Sequence, residues 1–337
     1  QDLSELVEFN VRRRQIRVGW LFNRPIVAYI YRKHKYIQSN LLLTYFTIEL
    51  EKIKPDAVLL WNGSLMPGSI LKLAAKNLAV PITYFENGFF PGTVQVDNFG
   101  LNGANSVPRN ASFYRDLPIY RSEELPHSLN VRQQKNNQKD QDEIPEMPFV
   151  FVPMQVPSDM QILELSPWIK SMEQYYFAIF EIANSFPDLR FVVKEHPSFK
   201  LSIQKYVPFH ENIRFANAAL TADLIKDAVA VITINSTVGM EALSLGKKVI
   251  SLGTAYYNIN GLVQHAPNLV ALNMAVKSLE QFTIDAALFN QFVGYIYNEF
   301  LVRGDLANCS NDFVNDVRNR ILANDLHSKA LKNIITD

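Results

Sequence analysis

Residues 232–253, ITINSTVGMEALSLGKKVISLG, decide how this chain is read. Val231 to Ile234 favour a buried strand, Asn235, Ser236 and Thr237 are small and polar, and the residues after them take on helical spacing. KKVISLG then reads as a second strand, so the stretch is strand, turn, helix, strand, the unit of a parallel sheet. The amides that open such a helix are unpaired and carry partial positive charge. A turn of small residues lets a phosphate sit directly on them, with the Ser236 and Thr237 hydroxyls as added donors. Plain helix capping by the same residues is the competing use. The chain has no GxGxxG and no Walker-type loop, which disfavours a dinucleotide or a nucleoside triphosphate.

Working outward, FVFVPMQV (149–156) and LRFVVKEHPS (189–198) read as strands on either side of a helix over 166–186. NIRFAN (212–217) is a short strand, and TADLIKDA (221–228) a helix expected to be capped by Thr221. In the first half, DAVLLWNG (56–63), SILKLAAKNLA (69–79) and VPITYFENG (80–88) form one more strand–helix–strand unit. Residues 89–110, rich in Gly, Asn and Pro, read as a long functional loop. Within 10–38, IRVGWLF and PIVAYIY alternate like core segments and are expected as the first strand and helix. The basic and aromatic residues of that stretch also suit a membrane surface.

Residues 133–147 hold almost no apolar side chains and read as a linker. Beyond about residue 280 the pattern is helical. The expected class is therefore α/β, with two Rossmann-like domains facing across a cleft. One domain spans 1–147, a second spans 148–290, and helices over 291–337 are free to pack back on the first domain.

Composition agrees. Lys plus Arg and Asp plus Glu number 33 each in 337 residues, so no basic surplus points to nucleic acid. The lone Cys309 cannot form an internal disulfide, which suits a cytoplasmic protein, with peripheral attachment at the inner face of the membrane as an expectation. The longest apolar runs, such as AVAVITI (228–234), are far too short to span a bilayer. The chain opens on Gln1 and ends in a helix-like pattern, which suggests an excised part of a longer protein.

Ligands of open α/β sheets bind at the carboxyl ends of the strands. Glu86, Asn87 and Gly88 follow PITYF; Gln155, Ser158 and Asp159 follow FVFVPM; Lys194, Glu195 and His196 follow LRFVV; Asn235, Ser236 and Thr237 follow VAVITI. Four polar strand ends converge on one edge. Lys194 and His196 can add positive charge to a phosphate, although a histidine satisfied by a nearby carbonyl is an ordinary alternative. Histidines and the single cysteine are too scattered for ligand spacing, so no metal is expected. Glu86 and Asp159 are the acid–base candidates, because a carboxyl desolvated by apolar walls can work near neutrality. Loop bracing and helix capping are their bland uses. Arg109 and Asn102 can meet a sugar carboxylate or hydroxyls, and Tyr256 and Tyr257 can pack on sugar or base, or simply in the core.

The blocks YFENGFFPGTVQVDNFGLN, FVPMQVPSDMQI, KEHPS and INSTVGMEALSLGKKVISLGTAYYNINGL together resemble the bacterial capsule polysaccharide biosynthesis proteins, over roughly residues 55–265. That family includes retaining β-Kdo transferases that use CMP-Kdo. CMP-sialic acid transferases of GT-B fold are similar too, in an acidic–Gly motif (Glu86, Gly88), His196-Pro197 and Ser236-Thr237. Asn87 and Glu195 depart from the usual residues of these motifs, which bears on subfamily more than on reaction. The resemblance implies an acceptor-binding domain over 1–147 and a CMP-sugar-binding domain over 148–290, with other glycosyltransferase domains expected on the same chain. It also implies that Glu86 deprotonates the acceptor while Lys194, His196, Ser236 and Thr237 hold CMP; Asn235 and Gln155, at the same strand ends, are expected to join the donor site. A β-linked donor giving a β-linked product needs two inversions, which makes Asp159 the expected nucleophile. Alternatives are an inverting CMP-sialic acid or Kdo transferase, and an epimerase or nucleotide-sugar-binding protein of the same fold.

Overall fold

Two sets of buried β-branched and aromatic residues seed two separate sheets. The structure is a computed structural model that describes residues 2–120, 148–199, 201–307 and 309–336. Contacts divide the chain into one unit of residues 1–107 and 295–337 and a second of residues 108–294.

The first unit opens with helices. In α1 (Leu3–Arg17), Asp2 and Glu5 exchange side-chain and backbone hydrogen bonds of 2.9 and 3.2 Å, a reciprocal cap that fixes the helix start. A short α2 (Gly19–Phe22) leads into the long α3 (Pro25–Ile53), where Pro25 occupies the first turn and needs no amide partner. The strand expected at IRVGWLF is thus absent: alternation over seven residues is too short to override packing of α3 on its helical neighbours. On the inner side of α3, Leu43, Phe46 and Leu50 join Val58, Leu60, Ile82 and Tyr84 in the core.

Next, β1 (Val58–Trp61), α4 (Gly68–Asn77) and β2 (Ile82–Asn87) make the expected unit, with β1 and β2 parallel and Trp61 opposite Phe85. Part of the expected loop is instead β3 (Thr93–Asp97), antiparallel to β2 and buried along its whole length, with Glu86 opposite Gln95. Its TVQV alternation lay hidden among turn residues. The turn into it requires Gly88, since a Cβ there would fall 2.0 Å from Thr93 Oγ1 and 2.6 Å from its carbonyl carbon.

The second unit begins at Pro108 and contains α5 (Ala111–Arg115), a stretch expected in the first domain. Tyr114 of α5 packs edge-on against Phe292, and Arg115 pairs with Asp285 at 3.0 Å. The expected linker lies outside the described residues. From there the chain runs β4 (Phe149–Pro153), α6 (Met160–Leu163), α7 (Met172–Ser185), β5 (Arg190–Lys194), β6 (Ile213–Phe215), α8 (Thr221–Asp227), β7 (Ala230–Thr233), α9 (Thr237–Ser244), β8 (Lys248–Ser251), β9 (Gln264–His265), α10 (Leu269–Lys277) and α11 (Ala286–Tyr295). The residue before α8 is Leu220, so Thr221 starts that helix from inside and does not cap it.

All six strands are parallel, in the order β6-β5-β4-β7-β8-β9. Val150, Val152, Phe191, Val193, Ile232 and Ile250 are fully buried, as expected for strands covered by helices on both faces. This is the doubly wound arrangement of the expected α/β class. The strand order reverses between β4 and β7, and that reversal opens the crevice where such sheets bind ligands.

The chain then returns to the first unit with β10 (Val302–Arg303), α12 (Asn311–Ile321) and α13 (Leu326–Thr336). β10 pairs antiparallel with β3, giving the order β1-β2-β3-β10, so only β1 and β2 are parallel here and the first unit is a reduced version of the expected Rossmann-like domain. Arg320, 3% exposed, donates to the carbonyls of Val96, Phe300 and Glu299 at 2.6–2.8 Å and pairs with Asp325. Ser106 Oγ donates to Asp97 and meets His327 Nε2 at 2.8 Å, while Tyr295 OH meets His327 Nδ1 at 2.5 Å. That pattern fits a neutral ring with its proton on Nε2. Burial, reinforced by the Arg320 charge, pushes the His327 pKa down to about 3.

Candidate functional site

The reversal between β4 and β7 is closed by two side chains. Gln155 Nε2 donates to Asn235 Oδ1 at 3.0 Å, and Gln155 Oε1 accepts from the Asn235 amide at 3.2 Å. Asn235 Nδ2 also donates to the Gln161 carbonyl at 2.8 Å. Both residues are buried, so each satisfies the other and together they fix the loops that leave the two strands. The two are brought together as neighbours, with much of their hydrogen-bonding capacity already used.

Asp159, exposed, lies in the loop after β4 and caps α6, its Oδ1 accepting from the Gln161 amide at 3.0 Å. At the end of β5, Lys194 is buried and its ammonium donates to the carbonyls of Asn217 and Ala219 at 2.8 and 2.7 Å. Its charge anchors the loop after β6, a use that the sequence did not disclose. Glu195 accepts from Ser202 Oγ, Asn217 Nδ2 and the Ile203 amide at 2.6–2.8 Å, bracing the same region. His196 Nδ1 accepts from the Ser198 amide at 3.2 Å, an arrangement that puts the ring proton on Nε2. Gln155 and His196 share the walls of one pocket with Met154, Pro157, Glu195 and Phe199.

At the end of β7, Ser236 caps α9 by accepting from the Val238 amide at 3.2 Å, and Thr237 is exposed. The Ser236 carbonyl accepts from Tyr257 OH at 2.6 Å. Gly239 permits that approach, because a Cβ there would sit 2.4 Å from the Tyr257 hydroxyl. Tyr256 and Tyr257 are therefore core residues, 3% and 0% exposed, and pack edge-on against each other 5.2 Å apart. This corrects the expectation that their rings pack on sugar or base, since the core already covers them.

One group was missed. Glu241, one turn into α9, has its carboxyl pushed up to about 7 by burial, and its charge acts on both tyrosines. The EAL run around it looks like ordinary helix, so only its neighbours reveal it. Arg109 belongs to this unit as well, where its charge acts on Tyr256, whereas Asn102 belongs to the first unit.

In the first unit, Glu86 ends β2 beside the end of β1. Asn62 Nδ2 donates to Glu86 Oε2 at 2.7 Å, and Asn62 Oδ1 accepts from the Ser64 amide at 3.2 Å. Asn62 adopts a left-handed backbone, φ 61°, which Asn tolerates. The Asn-Gly pair at 62–63 marked a turn but gave no hint of this partner. Gln95, buried opposite Glu86, donates to the Asn87 carbonyl at 3.0 Å and exchanges bonds of 3.3–3.4 Å with Asn102. Asn102 thus serves the same strand end as Glu86 by holding Gln95.

A six-stranded doubly wound sheet with a polar switch point, joined to a smaller unit with a buttressed carboxylate, places the protein in the α/β class of doubly wound sheets. Residues 125–305 match the family described as capsule polysaccharide biosynthesis protein, and the chain belongs to that family. It is 41% identical to Protein FixF of Sinorhizobium fredii, over 90% of this chain and 75% of that protein. It is 23% identical to the capsule polysaccharide export protein KpsS of Escherichia coli, over 66% of this chain and 72% of that one. Among solved structures it is similar to the beta Kdo 2,4 transferase of KpsC from Thermosulfurimonas dismutans, at 16% identity and a TM-score of 0.49, covering 77% of this chain and 86% of that one.

Proposed function

We propose that this protein is a glycosyltransferase that moves Kdo from CMP-β-Kdo to a bacterial surface glycan with retention. The observation that carries the reading is the Gln155–Asn235 pair, which fixes the switch point next to the amino end of α9 and the pocket wall of His196. Family membership and the ordered motif blocks support it. In this reading the donor phosphate sits at the start of α9, where amide dipoles, the Thr237 hydroxyl and His196 Nε2–H receive the charge of departing CMP. Asp159 attacks the anomeric carbon, and the C–O bond breaks with its electron pair passing to the phosphate. Glu86 then takes the proton of the acceptor hydroxyl, whose oxygen displaces Asp159. Two inversions leave the product with the donor's configuration.

The capping bond of Asp159 favours a second reading. If that carboxylate stays on its helix, the acceptor attacks directly and the product is inverted. Mass spectrometry of the purified protein with CMP-Kdo, CMP-sialic acid and UDP-sugars, mixed glycan acceptors and a chelator tests the donor class. CMP release with a Kdo-bearing product is the expected result. Turnover of a UDP-sugar alone, or none at all, removes the reading. A Kdo adduct on Asp159 in the Glu86→Gln protein separates retention from inversion.

A further inference from the structure

Helix α3 is apolar on two sides. Its inner side is in the core, yet Ile26, Ile30, Ile37, Leu41 and Ile48 are 56–74% exposed. Ile26, Ile37 and Ile48 are spaced by eleven residues, as are Ile30 and Leu41, and eleven residues make three turns, so these side chains form one straight stripe. Tyr29, Tyr36 and Tyr45, also exposed, flank it, and Trp20 of α2 is 75% exposed near its amino end. An exposed apolar stripe of this length, rimmed by polar residues, marks a docking surface.

Charge identifies what docks. From Arg12 to Lys35 there are eight Arg or Lys and no Asp or Glu, in a chain that holds 33 of each sign. Arg12, Arg14, Arg17, Arg24 and Lys33 are exposed around the stripe, and Arg32 ties α3 to α1 through Glu8. Pairing of α3 with its own copy in parallel sets like charges together. An antiparallel pairing brings the basic half against residues 44–54, where two glutamates are cancelled by two lysines. An anionic bilayer answers all three features: apolar stripe, aromatic flanks and basic surround. We infer that the α1–α3 region lies on the surface of an anionic membrane, with the Ile26–Ile48 stripe in the headgroup boundary. This does not depend on the reaction.

The test is co-sedimentation of the whole chain with phosphatidylcholine vesicles, with and without phosphatidylglycerol, alongside light scattering. Binding to the anionic vesicles and a blue shift of Trp20 emission, lost in Trp20→Phe, are expected. In the Ile30→Asp/Ile37→Asp/Leu41→Asp protein the partition coefficient falls about tenfold or more, as it does in Arg12→Gln/Arg14→Gln/Lys33→Gln, with circular dichroism unchanged. Absence of binding to anionic vesicles overturns the inference. So does a wild-type dimer that the apolar substitutions convert to monomer, since a second copy then covers the stripe.

Discussion

Asn62, the residue after β1, and Glu86, next to last in the parallel β2, are joined by a 2.7 Å bond that holds a carboxylate in one orientation at the carboxyl end of these strands. A base that must meet one hydroxyl gains from such restraint. Asn62→Ala should lower kcat about tenfold while KM for the donor stays unchanged, and Glu86→Gln should abolish transfer. Equal losses in donor affinity in both variants would assign Asn62 to folding of the strand end.

The Gln155–Asn235 pair predicts coupled losses of stability. Each single alanine strands a buried polar partner and should cost about 1–3 kcal/mol, while the double variant costs less than the sum. Urea unfolding of the four proteins reads this directly. Additive costs would mean that each residue draws its stability from other partners.

Gly88 is irreplaceable on steric grounds. Its Cβ would strike both the side chain and the backbone of Thr93, so Gly88→Ala must open the β2–β3 turn. A loss of about 3 kcal/mol or more is expected, with transfer lost because Glu86 is two residues away. A melting temperature equal to wild type would contradict it.

His327 and Glu241 give opposite dependences on pH. The folded pKa of His327 is about 3, below its ordinary 6.5, so the unfolded chain binds the proton first and stability falls as pH drops from about 6.5 toward 3. The contribution lost between pH 7 and 5 is about 2 kcal/mol. The folded pKa of Glu241 is raised from 4.5 to about 7, so its penalty grows as pH rises through that window. Glu241→Gln should stabilise the protein at pH 8 by about 3 kcal/mol and leave it unchanged at pH 4. Denaturant midpoints across pH check both signs.

The second sheet was legible because its strands are unbroken apolar runs ending in polar clusters, and the register of β4, β5 and β7 follows those runs. The first unit was less so. The strand expected at IRVGWLF falls in the end of α1 and in α2, where apolar residues alternate over a short window as they would in a strand, and β3 is embedded among Gly, Asn and Pro. The strand ends that carry the candidate residues were readable, but the partners of those residues were not. Whether Lys194 faces a phosphate or two carbonyls, and whether Gln155 meets a ligand or Asn235, depends on residues 23 to 80 positions away.

The first sheet is finished by a strand encoded more than two hundred residues after its neighbour, since β3 receives β10 only at Val302. On a ribosome the intervening unit can therefore complete its own sheet while the edge of β3 still waits. During that interval the edge is an open template for any extended chain, and a chaperone that shields unpaired strands has its clearest target there.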